Sequence, residues 1–161
     1  MAKPDVGEHS HGARTQPRWS FTQVSHTRAP VEALWPLVGE ARQWRKWSFL
    51  TRSDLVRDGV PAPDGVGAVR RFTAFGIGSR EEVVAWEPPT HLGYTLLRGF
   101  PVRDYRADVE LRANEDRTTL TWSVRFNPKI AGTGAVTWVV LRLLIFGFAR
   151  GVCRFADRQL A

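Results

Sequence analysis

The longest run of regularly spaced apolar residues lies at the C-terminal end of the chain, from Gly134 to Ala161. Apolar side chains recur there at intervals of three and four residues, which is typical of one face of an α-helix. They are Trp138, Leu141, Ile145, Phe148, Val152 and Phe155. The first half of the segment is apolar on nearly every side, so other parts of the chain must cover most of it. The pattern predicts a long core helix held by a curved sheet.

A membrane span is the alternative interpretation of the same segment. The longest uncharged run, residues 130–141, has 12 residues, whereas a bilayer needs about 20. Arg142 follows that run directly, and an arginine at the centre of a span costs about 3 kcal/mol on insertion scales. Both observations favour a core helix.

Upstream of this helix, apolar and polar residues alternate as in strands that have one face on a core and one in water. The predicted strands are Arg18–Thr27, Ser53–Arg57, Ala68–Phe75, Ser79–Trp86, His91–Arg98, Arg103–Arg112 and Thr118–Phe126. Two short helices fall after the first strand; Pro30 is placed at the first helical position of one, and Trp44 and Trp47 lie in the other. Hairpin connections make the fold class α+β, with an antiparallel sheet of about seven strands curved around the C-terminal helix.

The composition predicts one folded domain over residues 18–161, preceded by a polar tail over residues 1–17 that we expect to be disordered. The formal net charge is +7, and 20 of the 23 basic residues are arginines. They are scattered, which favours a solvated basic surface with affinity for acidic partners or anionic lipid headgroups. The aromatic residues fall at core-like periods, so we do not expect nucleic acid as a partner.

Several kinds of chemistry find no support in the sequence. Cys153 is the only cysteine and cannot form an internal disulfide, and no group of residues has metal-ligand spacing. A Ser/His/Asp pattern and a phosphate-binding glycine loop are also absent, so we expect neither a metal nor a cofactor. The N-terminal residues lack the apolar stretch of a secretory signal, from which we expect a cytoplasmic protein.

Two tyrosines are the first candidates for chemistry. Tyr94 and Tyr105 are the only tyrosines, and both fall on the apolar side of their predicted strands. A phenol in a cavity there would bind a ligand carbonyl or act as a general acid. The alternative is a pair of core tyrosines whose hydroxyls bond to the backbone.

Glu81 is the third candidate, because it shares the predicted inward face of Val83. Burial would raise its pKa and suit it to proton transfer. Arg71 is our choice for a neighbouring cation, although the pattern of its strand does not separate it from Arg70, and Arg103 is a further option. The alternative is a buried ion pair that serves the fold alone.

A curved sheet around a helix leaves a volume that inward side chains either fill or line. The candidates for the cavity wall are Trp44, Trp47, Phe72, Tyr94, Tyr105, Trp122, Trp138, Leu141, Ile145 and Phe148. Most of them would serve equally well as core residues.

The order and spacing of several short motifs resemble the START-like superfamily, also called Bet v 1-like or SRPBCC, and within it the polyketide cyclase/dehydratase type. The motifs are Ala29–Trp35, the pair Trp44 and Trp47, Gly65–Gly67 before Arg70–Phe72, Glu81 before Trp86–Pro89, Arg103–Tyr105 and Thr118–Trp122. The resemblance implies a helix-grip fold with an internal cavity for a hydrophobic ligand. It implies no single activity, because members include lipid carriers, hormone receptors, aromatases and cyclases.

Three functions remain open from the sequence. The first is binding of a hydrophobic small molecule such as a lipid, isoprenoid, quinone or polyketide. The second is a polyketide aromatase/cyclase that uses the cavity tyrosines, Glu81 and an arginine. The third is a lipid-binding module that contacts the surface of an anionic membrane. The protein is expected to be a monomer or a homodimer.

Overall fold

The computed structural model describes residues 17–161, so the predicted N-terminal tail lies outside the described residues except for Pro17. The elements follow the predicted order. They are β1 (Trp19–Thr27), α1 (Val31–Gly39), α2 (Trp44–Trp47), β2 (Arg52–Arg57), β3 (Val69–Ala74), β4 (Ile77–Glu87), β5 (His91–Arg98), β6 (Val102–Asn114), β7 (Arg117–Pro128) and α3 (Gly134–Arg158). One detail differs: α1 begins at Val31 and not at Pro30, because the Pro30 backbone is extended and its carbonyl accepts the first helical hydrogen bonds.

The seven strands form one antiparallel sheet in the order β1-β7-β6-β5-β4-β3-β2. Strands β2 to β7 follow one another as neighbours, and β1 crosses over to pair with β7. The predicted alternation is present on β7, where Leu120, Trp122, Val124 and Phe126 are at most 2% exposed. The fold is therefore α+β, with the predicted helix-grip arrangement of a curved sheet, a long C-terminal helix and two short helices after β1.

Irregularities in strand pairing allow the sheet to bend. The register shifts between Val83 and Ala85 on β4, and between Arg103 and Arg106 on β6. A bulge of this kind bends its strand and increases the local twist. The sheet can therefore curve around α3 instead of lying flat against it.

Helix α3 is the core helix of this fold. Leu141, Ile145, Ala149 and Val152 on its inner face are at most 3% exposed, and the helix contacts β1, β7, α1 and α2. By length and composition alone α3 is apolar enough to span a membrane. The core helix of a folded domain can have the same apolar composition as a membrane span. The burial of the inner face of α3 agrees with the predicted core helix.

The two glycines inside α3 have different surroundings and provide a matched test of helix packing. A Cβ added to Gly151 would lie 2.9 Å from the carbonyl oxygen of Trp47, whereas one added to Gly147 would meet no neighbouring atom within 4 Å. We expect Gly147→Ala to raise the free energy of unfolding by up to about 1 kcal/mol, because alanine favours a helix. Gly151→Ala must push α2 away from α3, so it should lower that free energy. Urea unfolding measures both; equal stabilisation would contradict the close approach of the two helices.

Candidate functional site

A cavity of about 370 Å³ lies between the concave face of the sheet and α3, beside α2. Most of its wall is apolar. The predicted wall residues that line it are Trp44, Phe72, Tyr94, Tyr105, Leu141, Ile145 and Phe148. The sequence interpretation missed Phe49, Leu50, Ala74, Phe75, Ile77, Gly78, Ser79, Leu96, Phe100, Val140 and Leu144. Many of these lie in turns, at strand ends or at the margin of the helix, where the alternation of apolar and polar residues says little about direction.

Three predicted wall residues, Trp47, Trp122 and Trp138, do not line the cavity. Trp122 is buried behind Tyr94, and its Nε1 donates a hydrogen bond of 3.1 Å to the Tyr94 hydroxyl. The indole of Trp47 donates to a carbonyl of α1, and that of Trp138 donates to a carbonyl of β1. Each ring turns toward the acceptor that its N–H requires. Sequence spacing cannot reveal that acceptor.

The polar part of the site is an ion pair that connects β3 and β4. Arg70 and Glu81 lie opposite each other in the antiparallel register, and Arg70 Nη2 is 3.0 Å from Glu81 Oε2. Arg70 is completely buried; its guanidinium carbon lies 4.9 Å from the ring centre of Tyr94 and 5.1 Å from that of Trp44. Arg70 Nε and Nη1 have no hydrogen-bond acceptor within residues 17–161. Aromatic faces therefore surround this cation where acceptors would otherwise be needed.

The cation beside Glu81 is thus Arg70 and not Arg71, which corrects the choice made from the sequence. Adjacent residues of a strand point to opposite faces of a sheet. Arg71 lies on the outer face, where it donates two hydrogen bonds of 3.0 Å to Asp54 on β2. These hydrogen bonds lower the pKa of Asp54. The buried residues of β3 do not alternate strictly, so its sequence alone did not show which arginine faces inward.

Burial changes the proton affinity of the groups at the cavity. It raises the pKa of Glu81, and the charge of Arg70 offsets part of that increase. Burial also raises the pKa of Tyr94 and of Tyr105 above the ordinary value of a phenol. Both phenols are therefore neutral at physiological pH and able to donate a hydrogen bond. Their rings lie side by side, with centres 6.3 Å apart.

The chain matches a known family over almost its whole described length. The sequence profile of the family described as "Polyketide cyclase / dehydrase and lipid transport" matches residues 18–158. The chain belongs to this family. The match confirms the START-like resemblance drawn from the sequence, while no protein of curated function matches the chain.

Solved structures similar to this polyketide cyclase / dehydrase family member share its fold. A START superfamily protein from Mycobacterium smegmatis has a TM-score of 0.74 at 11% identity, covering 88% of this chain and 99% of its own. A solution structure from Thermobifida fusca has a TM-score of 0.68 at 25% identity, with coverage of 86% and 91%. Norcoclaurine synthase from Thalictrum flavum, in complex with a transition state analogue, has a TM-score of 0.69 at 11% identity, covering 89% of this chain and 96% of its own.

The buried pair generates a test of the site. Arg70→Met removes the cation from a buried carboxylate, so we expect the free energy of unfolding to fall by about 3–5 kcal/mol. The double variant Arg70→Met/Glu81→Met leaves no buried charge and should recover most of that loss. Arg71→Met, on the outer face, is the matched control and should cost less than about 1 kcal/mol. Chemical denaturation measures all three, and equal losses for the two single variants would refute the assignment of Arg70.

The pH dependence of Arg70→Met is a second readout of the same pair. A carboxyl whose pKa is raised in the folded protein binds its proton more tightly there than in the unfolded chain. Its contribution to stability is therefore greatest at low pH and declines as the pH rises above the unfolded pKa. Without Arg70, the pKa of Glu81 in the folded protein should rise further, so the decline should continue to higher pH and be larger in total than in the wild type. Parallel stability curves would show that Glu81 does not depend on Arg70.

Proposed function

We propose that this family member binds a hydrophobic small molecule, such as a lipid, an isoprenoid or a polyketide, between the sheet and α3. The observation that supports this proposal is the cavity: a volume of about 370 Å³ falls within the range of about 300–1,000 Å³ that is usual for small-molecule sites. Its wall offers apolar contacts from the sheet on one side and from α3 on the other. An apolar ligand gains roughly 25 cal/mol for each Å² that it removes from water.

The polar groups of the wall indicate what else the ligand carries. Tyr105 and Tyr94 would donate hydrogen bonds to a carbonyl or hydroxyl oxygen, and Glu81 would accept one from a hydroxyl. Trp122 donates to the Tyr94 hydroxyl, so the hydroxyl proton of Tyr94 is directed toward another acceptor. We therefore favour a mainly apolar molecule with one oxygen-bearing end over a pure hydrocarbon.

Ala74, at the end of β3, lines the cavity, so a larger side chain there would occupy the space of a ligand. We expect Ala74→Phe to weaken binding of the apolar fluorescent probe N-phenylnaphthylamine by at least about tenfold. Ala113→Phe is the matched control, because Ala113 is exposed on β6 and lies outside the cavity wall. Fluorescence titration compares the affinities, and native mass spectrometry identifies any co-purifying molecule. Unchanged binding by Ala74→Phe would place the probe outside this cavity.

Catalysis is the second candidate function. Tyr105, Tyr94 and Glu81 border the same cavity, so a bound poly-β-ketone would meet both a proton donor and a carboxylate. Glu81 would remove a proton from a carbon between two carbonyls, and the resulting enolate carbon would attack a more distant carbonyl carbon of the same chain. The oxygen of that carbonyl would take the proton of Tyr105 and become a hydroxyl, and the proton taken up by Glu81 would restore the phenol. The description of the family includes polyketide cyclases, which supports an aromatase/cyclase as the enzyme activity to test.

Tyr105→Phe distinguishes the two functions. The Tyr94 hydroxyl accepts the hydrogen bond of Trp122, so its removal would leave a buried donor unpaired at a cost of about 1–3 kcal/mol; Tyr105 offers the cleaner substitution. If the protein is a cyclase, Tyr105→Phe should lower turnover of a polyketide thioester mimic by at least about 100-fold, with probe affinity retained. Mass spectrometry of the products measures this. Full turnover by the variant would exclude Tyr105 as the acid, and no turnover by the wild type would favour ligand binding alone.

Partners other than the ligand depend on the outer surface. The sequence left open a peripheral contact with an anionic membrane and a homodimer. Exposed apolar residues on α3, among them Val136, Val139 and Leu143, are compatible with either partner. The charged residues near these apolar side chains distinguish an anionic membrane from a second copy of the chain.

A further inference from the structure

The turn between β3 and β4 presents an aromatic side chain to solvent at a backbone position that suits it poorly. Phe75 and Gly76 form this two-residue turn, and both have left-handed backbones, with φ of 51° and 80°. Glycine, asparagine and aspartate favour such turns, whereas a bulky residue is rare there. Phe75 is also 83% exposed. Neither the local conformation nor burial within the fold accounts for a phenylalanine at this position.

Phe75 belongs to an apolar rim around the mouth of the cavity. Its ring stacks on Phe49 with centres 6.0 Å apart. Phe49, Phe75, Ile77 and Val140 all line the cavity and yet are 43–83% exposed. Leu143, one turn beyond Val140 on α3, is 65% exposed. A contiguous exposed apolar surface of this kind marks an interaction site, and we call these five residues the apolar rim.

The charge next to the apolar rim selects the partner. The exposed face of α3 that carries Val140 and Leu143 continues with Arg150 and Arg154, and the helix contains no acidic residue before Asp157. The whole chain carries a net charge of +7. A dimer through this face would bring two strongly basic chains together, whereas an anionic surface would attract them. Apolar side chains flanked by arginines are the combination that binds the interface of an anionic bilayer.

We propose that the apolar rim docks on an anionic lipid bilayer, with Phe75 inserted at the level of the acyl chains and Arg150 and Arg154 against the headgroups. The mouth of the cavity then faces the bilayer, and an apolar ligand passes between membrane and cavity without crossing water. This inference rests on the proposed ligand-binding function, because four of the five rim residues, all except Leu143, also line the cavity.

Co-sedimentation of the full chain with lipid vesicles tests the docking. The wild type should bind vesicles of phosphatidylcholine and phosphatidylglycerol, and it should bind less at high salt or to phosphatidylcholine alone. Phe75→Asn should lower the partition coefficient by about tenfold. The same substitution should keep or raise the melting temperature, because Asn–Gly favours this turn. Leu97→Thr is the matched control: Leu97 is 51% exposed on β5 and lies outside the cavity wall, so binding should not change.

Docking and ligand binding fail in distinguishable ways. Leu143→Gln alters the rim but not the cavity wall, so it should weaken vesicle binding and leave affinity for N-phenylnaphthylamine unchanged. Vesicle binding that survives Phe75→Asn, or that falls equally in Leu97→Thr, overturns the rim as the docking surface. The proposal is also overturned if the wild type does not bind vesicles but forms a dimer in ultracentrifugation that Leu143→Gln dissociates. The apolar rim would then contact a second copy of the chain. Vesicle binding without any probe binding refutes the proposed function while supporting the docking.

Discussion

Helix α3 cannot cover its own apolar circumference, and the rest of the structure depends on this constraint. A sheet that bends at the bulges of β4 and β6 covers the inner face of the helix, whereas Val136, Val139 and Leu143 on its outer face remain exposed. The helix makes its main contacts with β1, β7, α1 and α2. The middle strands of the sheet lie further from the helix, and the cavity occupies the space between these strands and α3.

The buried pair of Arg70 and Glu81 is the costly feature of this cavity. An ion pair without solvent adds little stability compared with apolar residues of the same volume. Arg70 on β3 nevertheless lies directly opposite Glu81 on β4, and the Glu81 carboxylate borders the cavity. A buried polar cluster that borders a cavity is typical of functional sites, and this position is why the proposed function assigns it the recognition of a ligand.

The polarity of the cavity wall changes from the mouth to the interior. Its mouth carries exposed apolar side chains such as Phe75 and Ile77, whereas the buried part carries Glu81, Tyr94 and Tyr105. A ligand that enters from water would meet the apolar groups first. A ligand that enters from a bilayer would leave its apolar end at the mouth and place its oxygen-bearing end deepest, which agrees with the proposed docking.

The number, order and approximate bounds of the elements followed from the sequence, because strand alternation and helical periodicity are local properties of the backbone. The inward direction of Tyr94, Tyr105 and Glu81 followed for the same reason. Tertiary structure alone decided that Arg70 and not Arg71 faces Glu81, and that Trp122 lies behind the cavity wall. These positions depend on strand register, on bulges and on the acceptor that each indole finds. Each of these is a contact between residues that are distant in sequence, so local patterns do not reveal it. The sequence by itself therefore determined the fold and the inward direction of Tyr94, Tyr105 and Glu81. The tertiary structure decided which residues line the cavity, because many of its wall residues lie in turns and at strand ends where alternation gives no direction.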